Sequence, residues 1–431
     1  MEMNMKRNLR TLQDERGQIL VLSAFVIVSL LAFTGLIIDV GFLYAEHRQA
    51  QNAADEAAWA AAFEIYNGGS VADATTAALA YADENGFDNS GGSSTVTVNI
   101  PPASGEHVGD PNYVEVIVSE KPTTFFIHVV IPDGSTVQAR GVAGVVIFPE
   151  PYALVVLDTD DCQAYRQQGT ASLTIHGGGV MINSDCQTNA LSKGGSGSLI
   201  VDGTIDVHGG YNFTGSGPVS PEPRSVYWTV DDPLRSVLPP PLGSPAPGSP
   251  GTAENPDTWR VTSGGDFTLY PGTYYGGFYS NCTCTITMEP GVYVMAGGGF
   301  TKGGGATFTG DGVTIYLTEN PTNPTGDGAP EPFSLTGSGA LDLSPPTSGL
   351  YQGITLWQDE AITEDFTMRG SNDLVSGILY APGATLDFAG DTQAGTVQII
   401  VNGFYLHGNS PLDLTYGEFR DADVPRVVLV E

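Results

Sequence analysis

The feature that most constrains this chain is an uncharged apolar run of twenty residues, Ile19 to Ile38. A helix of that length spans a hydrocarbon core of about 30 Å, at ~1.5 Å per residue. Four basic residues precede the run: Lys6, Arg7, Arg10 and Arg16. The first charged residues after it, Asp39 and Glu46, are acidic. By the positive-inside rule, residues 1–18 are a basic cytoplasmic segment, residues 19–38 a transmembrane helix, and the following chain lies outside.

A cleaved secretory signal is the alternative interpretation of this run. The apolar part of such a signal usually has about 7–15 residues and is followed by a small-x-small cleavage site. This run is longer, and Asp39-Val40-Gly41 follows it. We therefore expect a retained, single-pass anchor in the cell membrane, with the lipid bilayer as a partner.

The charge of the chain limits its other partners. It has 16 basic and 48 acidic residues, a net charge of −32. Such a surface repels nucleic acid, so we expect no nucleic-acid partner. Hydration alone accounts for this acidity, and weak binding of divalent cations is the alternative. Asp158, Asp160 and Asp161 are candidate calcium ligands, although their spacing falls short of an EF-hand loop. We expect no other cofactor.

Helical periodicity continues past the apolar run. Residues recur at steps of three and four along one face: Val40, Leu43, His47, Ala50, Ala54, Ala57 and Ala61. Small side chains allow another backbone to approach closely. The four alanines therefore predict packing on a neighbouring helix and sheet, with contact to other subunits as the alternative.

A compact domain is predicted to follow. Gly68 and Gly69 end the first helix, and Ser70 with Asp73 predicts the capping box of a second helix that reaches about Glu84. Four runs rich in β-formers come next, at 95–100, 113–119, 125–131 and 137–148. Residues 39–148 therefore predict a compact α+β domain next to the membrane.

The N-terminal motifs resemble a known family. Arg16-Gly17-Gln18 precedes the run, Asp39-Val40-Gly41-x-Leu43-Tyr44 follows it, and Arg48-x-x-Gln51-Asn52-Ala53-Ala54-Asp55-x-Ala57-Ala58 comes next. This order resembles TadG-like proteins of the tight-adherence (Flp) pilus system. The resemblance implies a membrane-anchored, pilin-like stalk whose partners are other pilus-assembly or surface subunits.

Two departures from the family pattern bear on function. Pilin-type proteins that are cleaved by prepilin peptidase usually carry a glutamate five residues after the cleaved glycine, and Leu22 stands there relative to Gly17. We therefore expect no cleavage after Gly17. Many TadG-like proteins also carry a von Willebrand A domain, whose metal site begins with Asp-x-Ser-x-Ser. Neither serine follows Asp158, so we expect no such domain here.

Residues 149–431 have a different pattern. Short apolar runs alternate with Gly, Asn, Asp and Ser, and Pro271-Gly272-Thr273-Tyr274 recurs as Pro290-Gly291-Val292-Tyr293. Repeats this short cannot bury their own apolar face, so we expect a parallel β-helix, a solenoid, with a β-sandwich as the alternative. Residues 217–257 contain eleven prolines and should leave the solenoid as an excursion or connect two halves. This region resembles the glycine-rich β-solenoid tail of some TadG-like proteins.

The four cysteines should be paired in an exported chain. Cys162 and Cys186 are about one repeat apart, so we expect a disulfide that joins neighbouring coils and stabilises them by about 3 kcal/mol. Cys282 and Cys284 are two residues apart, and a disulfide, two thiols or a metal site all remain open for them.

No motif predicts catalysis. Acidic clusters occur at Asp231-Asp232 and at 359–365, but no basic partner accompanies them. We expect a structural or assembly component of a Flp/Tad-type pilus or a related surface adhesion apparatus, and not an enzyme. The alternative is a stalk-mounted carbohydrate-binding or carbohydrate-cleaving surface protein. Exposed aromatic residues along one solenoid face, with paired carboxylates about 5–10 Å apart, would favour that alternative.

Overall fold

The computed structural model describes residues 8–89, 92–129, 131–132, 134–370, 373–390, 395–409, 411–417 and 419–431. They form two compact units. The first comprises the chain up to Val146 together with Arg426–Glu431, and the second comprises Ile147–Pro425. The sequence predicted a solenoid domain at residues 149–431. In the structure, its last residues, Arg426–Glu431, belong to the first unit.

Two helices form the frame of the first unit. α1 (Asn8–Tyr66) is continuous through the apolar run and beyond it, and α2 (Val71–Glu84) follows a glycine turn. Ser70 caps α2: its Oγ accepts the Asp73 N–H at 3.3 Å, and the Asp73 carboxylate accepts the Ser70 N–H at 3.0 Å. The predicted second helix and its capping box are confirmed.

A four-stranded sheet completes the first unit. Its order is β1 (Ser94–Asn99), β2 (Tyr113–Glu120), β3 (Val137–Glu150) and the last strand of the chain (Ala422–Leu429). β2 pairs antiparallel with both β1 and β3. The alternate residues Val114, Val116 and Val118 are fully buried on one face, as a half-buried strand requires. This is the α+β arrangement that the sequence predicted.

The second unit is a parallel β-solenoid of about 11 turns in the described part of the chain. A complete coil contributes three strands, and equivalent strands of neighbouring coils pair in parallel. The strands up to Ser225 are β4 (Tyr152–Val156), β5 (Tyr165–Gln167), β6 (Ser172–His176), β7 (Gly179–Ile182), β8 (Leu191–Lys193), β9 (Leu199–Val201), β10 (Ile205–Val207), β11 (Tyr211–Phe213), β12 (Val219–Ser220) and β13 (Arg224–Ser225). β12 and β13 lie within the proline-rich range 217–257, so the first residues of that range still belong to the solenoid. The β-helix prediction is confirmed, and the β-sandwich alternative is wrong.

The coils after the proline-rich segment complete the solenoid. Their strands are β14 (Trp259–Val261), β15 (Asp266–Leu269), β16 (Gly272–Tyr275), β17 (Phe278–Cys282), β18 (Thr285–Met288), β19 (Gly291–Ala296), β20 (Phe300–Gly304), β21 (Thr307–Gly310), β22 (Val313–Thr318), β23 (Phe333–Leu335), β24 (Leu341–Leu343), β25 (Ile354–Gln358), β26 (Phe366–Met368), β27 (Asp373–Val375), β28 (Gly377–Phe388), β29 (Val397–Leu406) and β30 (Pro411–Thr415). The last strand of the chain, β31 (Ala422–Leu429), belongs to the four-stranded sheet described above. The repeated Pro-Gly motifs begin β16 and β19, which lie side by side.

The coils are not stacked in the order of the chain. β4, where the chain enters the solenoid, pairs with β7 on one side and with β29 on the other. Leu154 is thus opposite Val180 and also opposite Ile399. The first coil therefore lies inside the stack. The stack ends at β12 and β13 on one side, and at β14 and β15 on the other.

Aromatic ladders fill the solenoid interior. Phe278 stacks on Phe300 with ring centroids 5.6 Å apart, and Tyr165 of the first coil stacks on Phe404 of the last at 5.4 Å. All four side chains are fully buried. Equivalent positions of successive coils must lie about 4.8 Å apart, so repeated aromatic residues stack without leaving voids.

The proline-rich segment runs along the outside of the stack from one end toward the other. We call residues 226–246 the strap. Its Val230 exchanges two hydrogen bonds with the Asn183 side chain beside β7, at 2.8 and 3.0 Å. Farther along, Tyr275 of β16 donates to the Gly243 carbonyl oxygen at 2.9 Å. The strap joins the strand ladders at its two ends, where the Val226 N–H donates to the Val207 carbonyl oxygen at 2.9 Å and the Ala246 N–H donates to the Thr273 carbonyl oxygen at 2.8 Å. Proline suits the path between these ends, which follows no strand.

The strap covers an apolar outer face of the solenoid. Val226, Val230 and Leu234 of the strap are buried in this contact. The solenoid side chains of the same cluster include Met181, Val294, Tyr316, Trp357, Ile378 and Tyr380. The strap therefore buries aromatic side chains that would otherwise stand on the surface.

Candidate membrane anchor and assembly site

The apolar run of α1 is exposed within its unit. Among the described residues, α1 is the one helix long and apolar enough to cross a membrane. Leu20 is 74% exposed and Phe25 is 71% exposed. A contiguous apolar surface of this kind marks a contact with lipid or with another protein.

Asp39 directly follows the apolar run, although exposed apolar side chains continue to Tyr44. Its side chain is only 1% exposed, and it accepts three backbone N–H groups: Phe125 at 3.2 Å, Phe126 at 2.6 Å and Ile127 at 2.6 Å. A buried carboxylate needs such donors to offset the loss of water. The sequence identified Asp39 as the first charged residue after the run and as part of the family motif, but it did not predict that Asp39 binds a distant loop. Its position at the end of the run was the one sequence feature that pointed to a special role.

The strand predicted at 125–131 is wrong. Ile127–Val129 is a 3₁₀ turn. The N–H groups of Phe125, Phe126 and Ile127 bind the Asp39 carboxylate, so they cannot serve a strand ladder. Aromatic and β-branched residues predicted a strand here because propensity does not detect a distant side chain that competes for the backbone.

The four alanines pack inside the first unit. Ala50, Ala54, Ala57 and Ala61 are fully buried. A Cβ placed on Gly141 of β3 would lie 2.7 Å from the Ala54 carbonyl, so the helix and the sheet approach as closely as backbones can. The intrachain interpretation accounts for this stripe. These side chains have no exposed surface left for another subunit.

A buried carboxylate also organises the sheet of the first unit. Glu115 is fully buried and accepts from Ser104 Oγ at 2.6 Å, Asn99 Nδ2 at 2.7 Å, the Ala103 N–H at 3.1 Å and Arg140 Nε at 2.6 Å. Burial alone would raise the pKa of Glu115, but these donors together lower it to about 2. The available signal in the sequence was an acid between two valines of β2, Val114 and Val116.

The comparison with known families bears on α1. Residues 17–63 match the family model described as Putative Flp pilus-assembly TadE/G-like. This segment is TadE/G-like. The match contains the exposed apolar run, Asp39 and the buried alanine stripe, which confirms the resemblance predicted for the N-terminal region. No curated protein and no solved structure matches the chain.

The TadE/G-like segment indicates a role in pilus assembly. A pilus-assembly domain also implies contact with other pilus or surface components. The exposed apolar helix is consistent with a membrane-anchored protein. The solenoid lies outside the matched residues.

The predicted calcium ligands lie in the turn between β4 and β5. One Asp158 oxygen accepts the N–H groups of Asp160 at 2.9 Å and Asp161 at 2.6 Å, and the other accepts from Asn402 Nδ2 at 2.9 Å. Asp158 thus caps its own turn and joins the first coil to the last. Asp160 and Asp161 are exposed.

Glu106, His107 and Glu431 form a second group of potential metal ligands in the described part of the chain. One ligand atom of each side chain lies within 4.8 Å of the others. Arg140 forms an ion pair with Glu431 there, and Glu431 also accepts the Glu106 N–H at 3.1 Å. Because Arg140 neutralises the carboxylate, this convergence is an ion-pair cluster that closes the end of the sheet.

Both cysteine pairs form disulfides. Cys162 and Cys186 are joined with their Cα atoms 5.2 Å apart, and they link the β4–β5 turn to the β7–β8 turn of the neighbouring coil. Cys282 and Cys284 are also joined, and both are nearly buried at a corner of the coil that contains β17 and β18.

Carboxylates of the two acidic clusters accept hydrogen bonds from tyrosines of the outer face. Tyr380 of β28 donates to Asp232 of the strap, and Tyr316 of β22 donates to Asp359. Burial raises the pKa of Asp232. The structure brings Asp232, Asp359 and Glu360 to one cavity, lined also by Trp357. The sequence assigned no role to Asp232 and Asp359, and in the structure each accepts a hydrogen bond from a tyrosine of the covered outer face.

Proposed function

We propose that the protein is a membrane-anchored, extracytoplasmic structural or assembly component of a Flp/Tad-type pilus or a related surface adhesion apparatus. The single observation that carries the proposal is that the TadE/G-like match coincides with one continuous helix. Its first part is exposed and apolar, and its second part is the buried spine of a folded unit.

The proposed topology follows from charge and from the position of Asp39. The basic residues that precede the run stay in the cytoplasm. The helix leaves the bilayer near Asp39, and both folded units are extracytoplasmic. The α1 backbone needs no partner within the bilayer, because its hydrogen bonds are satisfied within the helix.

A structural role is favoured over carbohydrate binding or cleavage. Sugar-binding solenoids need exposed aromatic platforms, whereas Tyr316, Trp357 and Tyr380 are each at most 5% exposed beneath the strap. Asp232 and Asp359 accept hydrogen bonds from Tyr380 and Tyr316, which engages the carboxylates that a hydrolase would use for acid–base chemistry.

Genetic complementation tests this proposal. A deletion strain should lose surface pili or adhesion, and the full chain should restore them. Leu30→Arg puts a charge in the middle of the apolar run, where Leu30 is 61% exposed, and should fail to complement. Leu350→Arg is the matched control, since Leu350 is 56% exposed on the solenoid, and it should complement. Pili that persist in the deletion strain would exclude the assembly role.

Protease protection tests the topology. Protease added outside intact spheroplasts should degrade both folded units and spare the short N-terminal segment. Complete protection of the solenoid would place it in the cytoplasm and overturn the proposed orientation.

A further inference from the structure

A short loop of the first unit exposes large apolar side chains. We call residues 124–129 the aromatic loop. Phe125 is 72% exposed and Phe126 is 45% exposed, and the nearby Ile131 is 44% exposed. Apolar side chains grouped in this way on one loop mark a contact surface.

The aromatic loop is fixed to α1 at the end of the apolar run. Asp39 binds the N–H groups of its first residues, as described above. A Cβ placed on Gly35 would lie 2.5 Å from Cγ of Phe126, so the Phe126 ring rests directly on the helix there. Gly35 is about 4.5 Å inside the end of the run at Ile38, three residues at ~1.5 Å each.

The exposed rings continue the exposed surface of the helix. Ile37 is 70% exposed and Ile38 is 55% exposed at the same level of α1. A Phe ring beside Gly35, about 4.5 Å inside the end of the run, therefore lies close to the depth of about 5–10 Å to which interfacial segments bury their apolar side chains.

The backbone of the aromatic loop is prepared for a dry environment. Free N–H groups are costly near hydrocarbon, and irregular backbone is tolerated there only when its polar groups are satisfied. The buried Asp39 carboxylate satisfies three consecutive N–H groups of the loop.

We propose that the aromatic loop is a second membrane contact, which inserts Phe125 and Phe126 into the interface of the leaflet that α1 leaves. This proposal rests on the membrane anchor of the proposed function. It adds a lipid-binding site on the folded unit, so that two points and not one set the orientation of the unit on the membrane.

The local charge fits a lipid surface. Residues 122–132 contain no acidic residue, although the whole chain has 48; Glu120 and Lys121 precede them and Asp133 follows. The carboxylate that contacts the loop, Asp39, is buried against its N–H groups, so Phe125 and Phe126 present no charge of their own to a phospholipid headgroup layer. The occupant is therefore the phospholipid interface, and contact with another protein is the competing outcome of the test.

Photocrosslinking of the full chain in phospholipid vesicles tests the proposal. Benzoylphenylalanine replaces Phe125 in one variant, Ile27 in a second and Tyr81 in a third. Ile27 is 58% exposed within the apolar run and reports on the anchor alone. Tyr81 is 45% exposed, like Phe126, and lies one turn before Asn85. Asn85 contacts Glu56, about 25 Å past Asp39 along α1.

The expected result is lipid labelling at Ile27 and Phe125, with labelling at Tyr81 several-fold weaker. Labelling at Ile27 with none above the Tyr81 level at Phe125 overturns the loop contact and leaves the anchor standing. A crosslink from Phe125 to protein instead of lipid also overturns it. If Ile27 is not labelled, the anchor fails and the loop contact fails with it.

Discussion

Gln398 donates a hydrogen bond of 2.9 Å to the carbonyl oxygen of Tyr152, 246 residues earlier in the chain. The same amide donates to the Arg420 carbonyl oxygen at 2.6 Å, and Gln398 is fully buried. One side chain thus holds the strand that enters the solenoid, the strand of the last coil and the segment that leaves it. The coils where the chain begins and ends its path support each other inside the stack.

Gln398→Leu should destabilise this junction. The carbonyl oxygens of Tyr152 and Arg420 lose their donor, and the loss at the buried Tyr152 oxygen costs about 1–3 kcal/mol. Chemical denaturation, monitored by the fluorescence of the solenoid tryptophans, measures the decrease in the free energy of unfolding. Gln187→Leu is the control, because Gln187 is exposed and bonds only within its own turn. Equal stability of the two variants would show that the junction does not depend on this amide.

Glu115 should make the first unit sensitive to acid. The pKa of Glu115 in the folded chain, about 2, lies below the ordinary value of 4.5. The folded state therefore binds this proton less readily than the unfolded state, and the stabilisation is complete above about pH 4.5 and is lost as the pH falls toward 2. Hydrogen exchange of β2 peptides across this range should show the loss.

Glu115→Gln should lower the stability of the first unit near neutral pH by about 2 kcal/mol, since charged hydrogen bonds become neutral ones. It should also flatten the acid dependence of β2 exchange. Glu120→Gln, a substitution at the end of the same strand, should change neither. An unaltered acid profile in the Glu115 variant would assign the pH dependence to another group.

The Cys162–Cys186 disulfide should be recovered by non-reducing peptide mapping. Replacing both cysteines by serine should lower solenoid stability by about 3 kcal/mol, because the unfolded chain regains the freedom of the closed loop. Recovery of a Cys162–Cys282 crosslink, or of free Cys162, contradicts this pairing.

Tyr380→Phe should loosen the strap. The substitution removes the Tyr380 donor from one oxygen of the half-buried Asp232 carboxylate, whose other oxygen keeps the Leu234 N–H, at a cost of about 1–2 kcal/mol. Hydrogen exchange in residues 226–246 should accelerate, while the interior strands keep their protection. Tyr270→Phe is the control, since Tyr270 is 46% exposed.

The N-terminal segment should remain uncleaved at Gly17. Leu22 occupies the position at which pilin-type substrates carry a glutamate. Intact mass spectrometry or N-terminal sequencing of protein purified from membranes measures this directly. Mature protein that begins at Gln18 contradicts the expectation, and Leu22→Glu is the variant in which cleavage could then be sought.

Much of the organisation could be predicted from local patterns. The apolar run, the capping box of Ser70 and Asp73, and the helix-to-solenoid change of period each depend on residues that are close in sequence. The disulfide partners Cys162 and Cys186 are about one repeat apart, so the repeat length alone suggested neighbouring coils. The family resemblance likewise rested on contiguous motifs of α1.

The strand predicted at 125–131 shows where such patterns fail. The Phe-rich segment has strong strand propensity, but Asp39, far away in the sequence, binds its N–H groups. Gly35, inside the apolar run, receives the ring of Phe126. The candidate lipid contact therefore arises from two segments that no local pattern connects.

The sequence by itself determined an apolar helix, an α+β unit and a stack of short parallel strands, because periodicity and turn residues act over a few positions. Only the tertiary structure decided the order of the coils. Every coil presents nearly equivalent strand edges, so the repeat cannot specify which coils adjoin. Long-range contacts do so: Leu154 pairs with Ile399, and Gln398 bonds to Tyr152, while the strap crosses the outside of the stack to make that order possible.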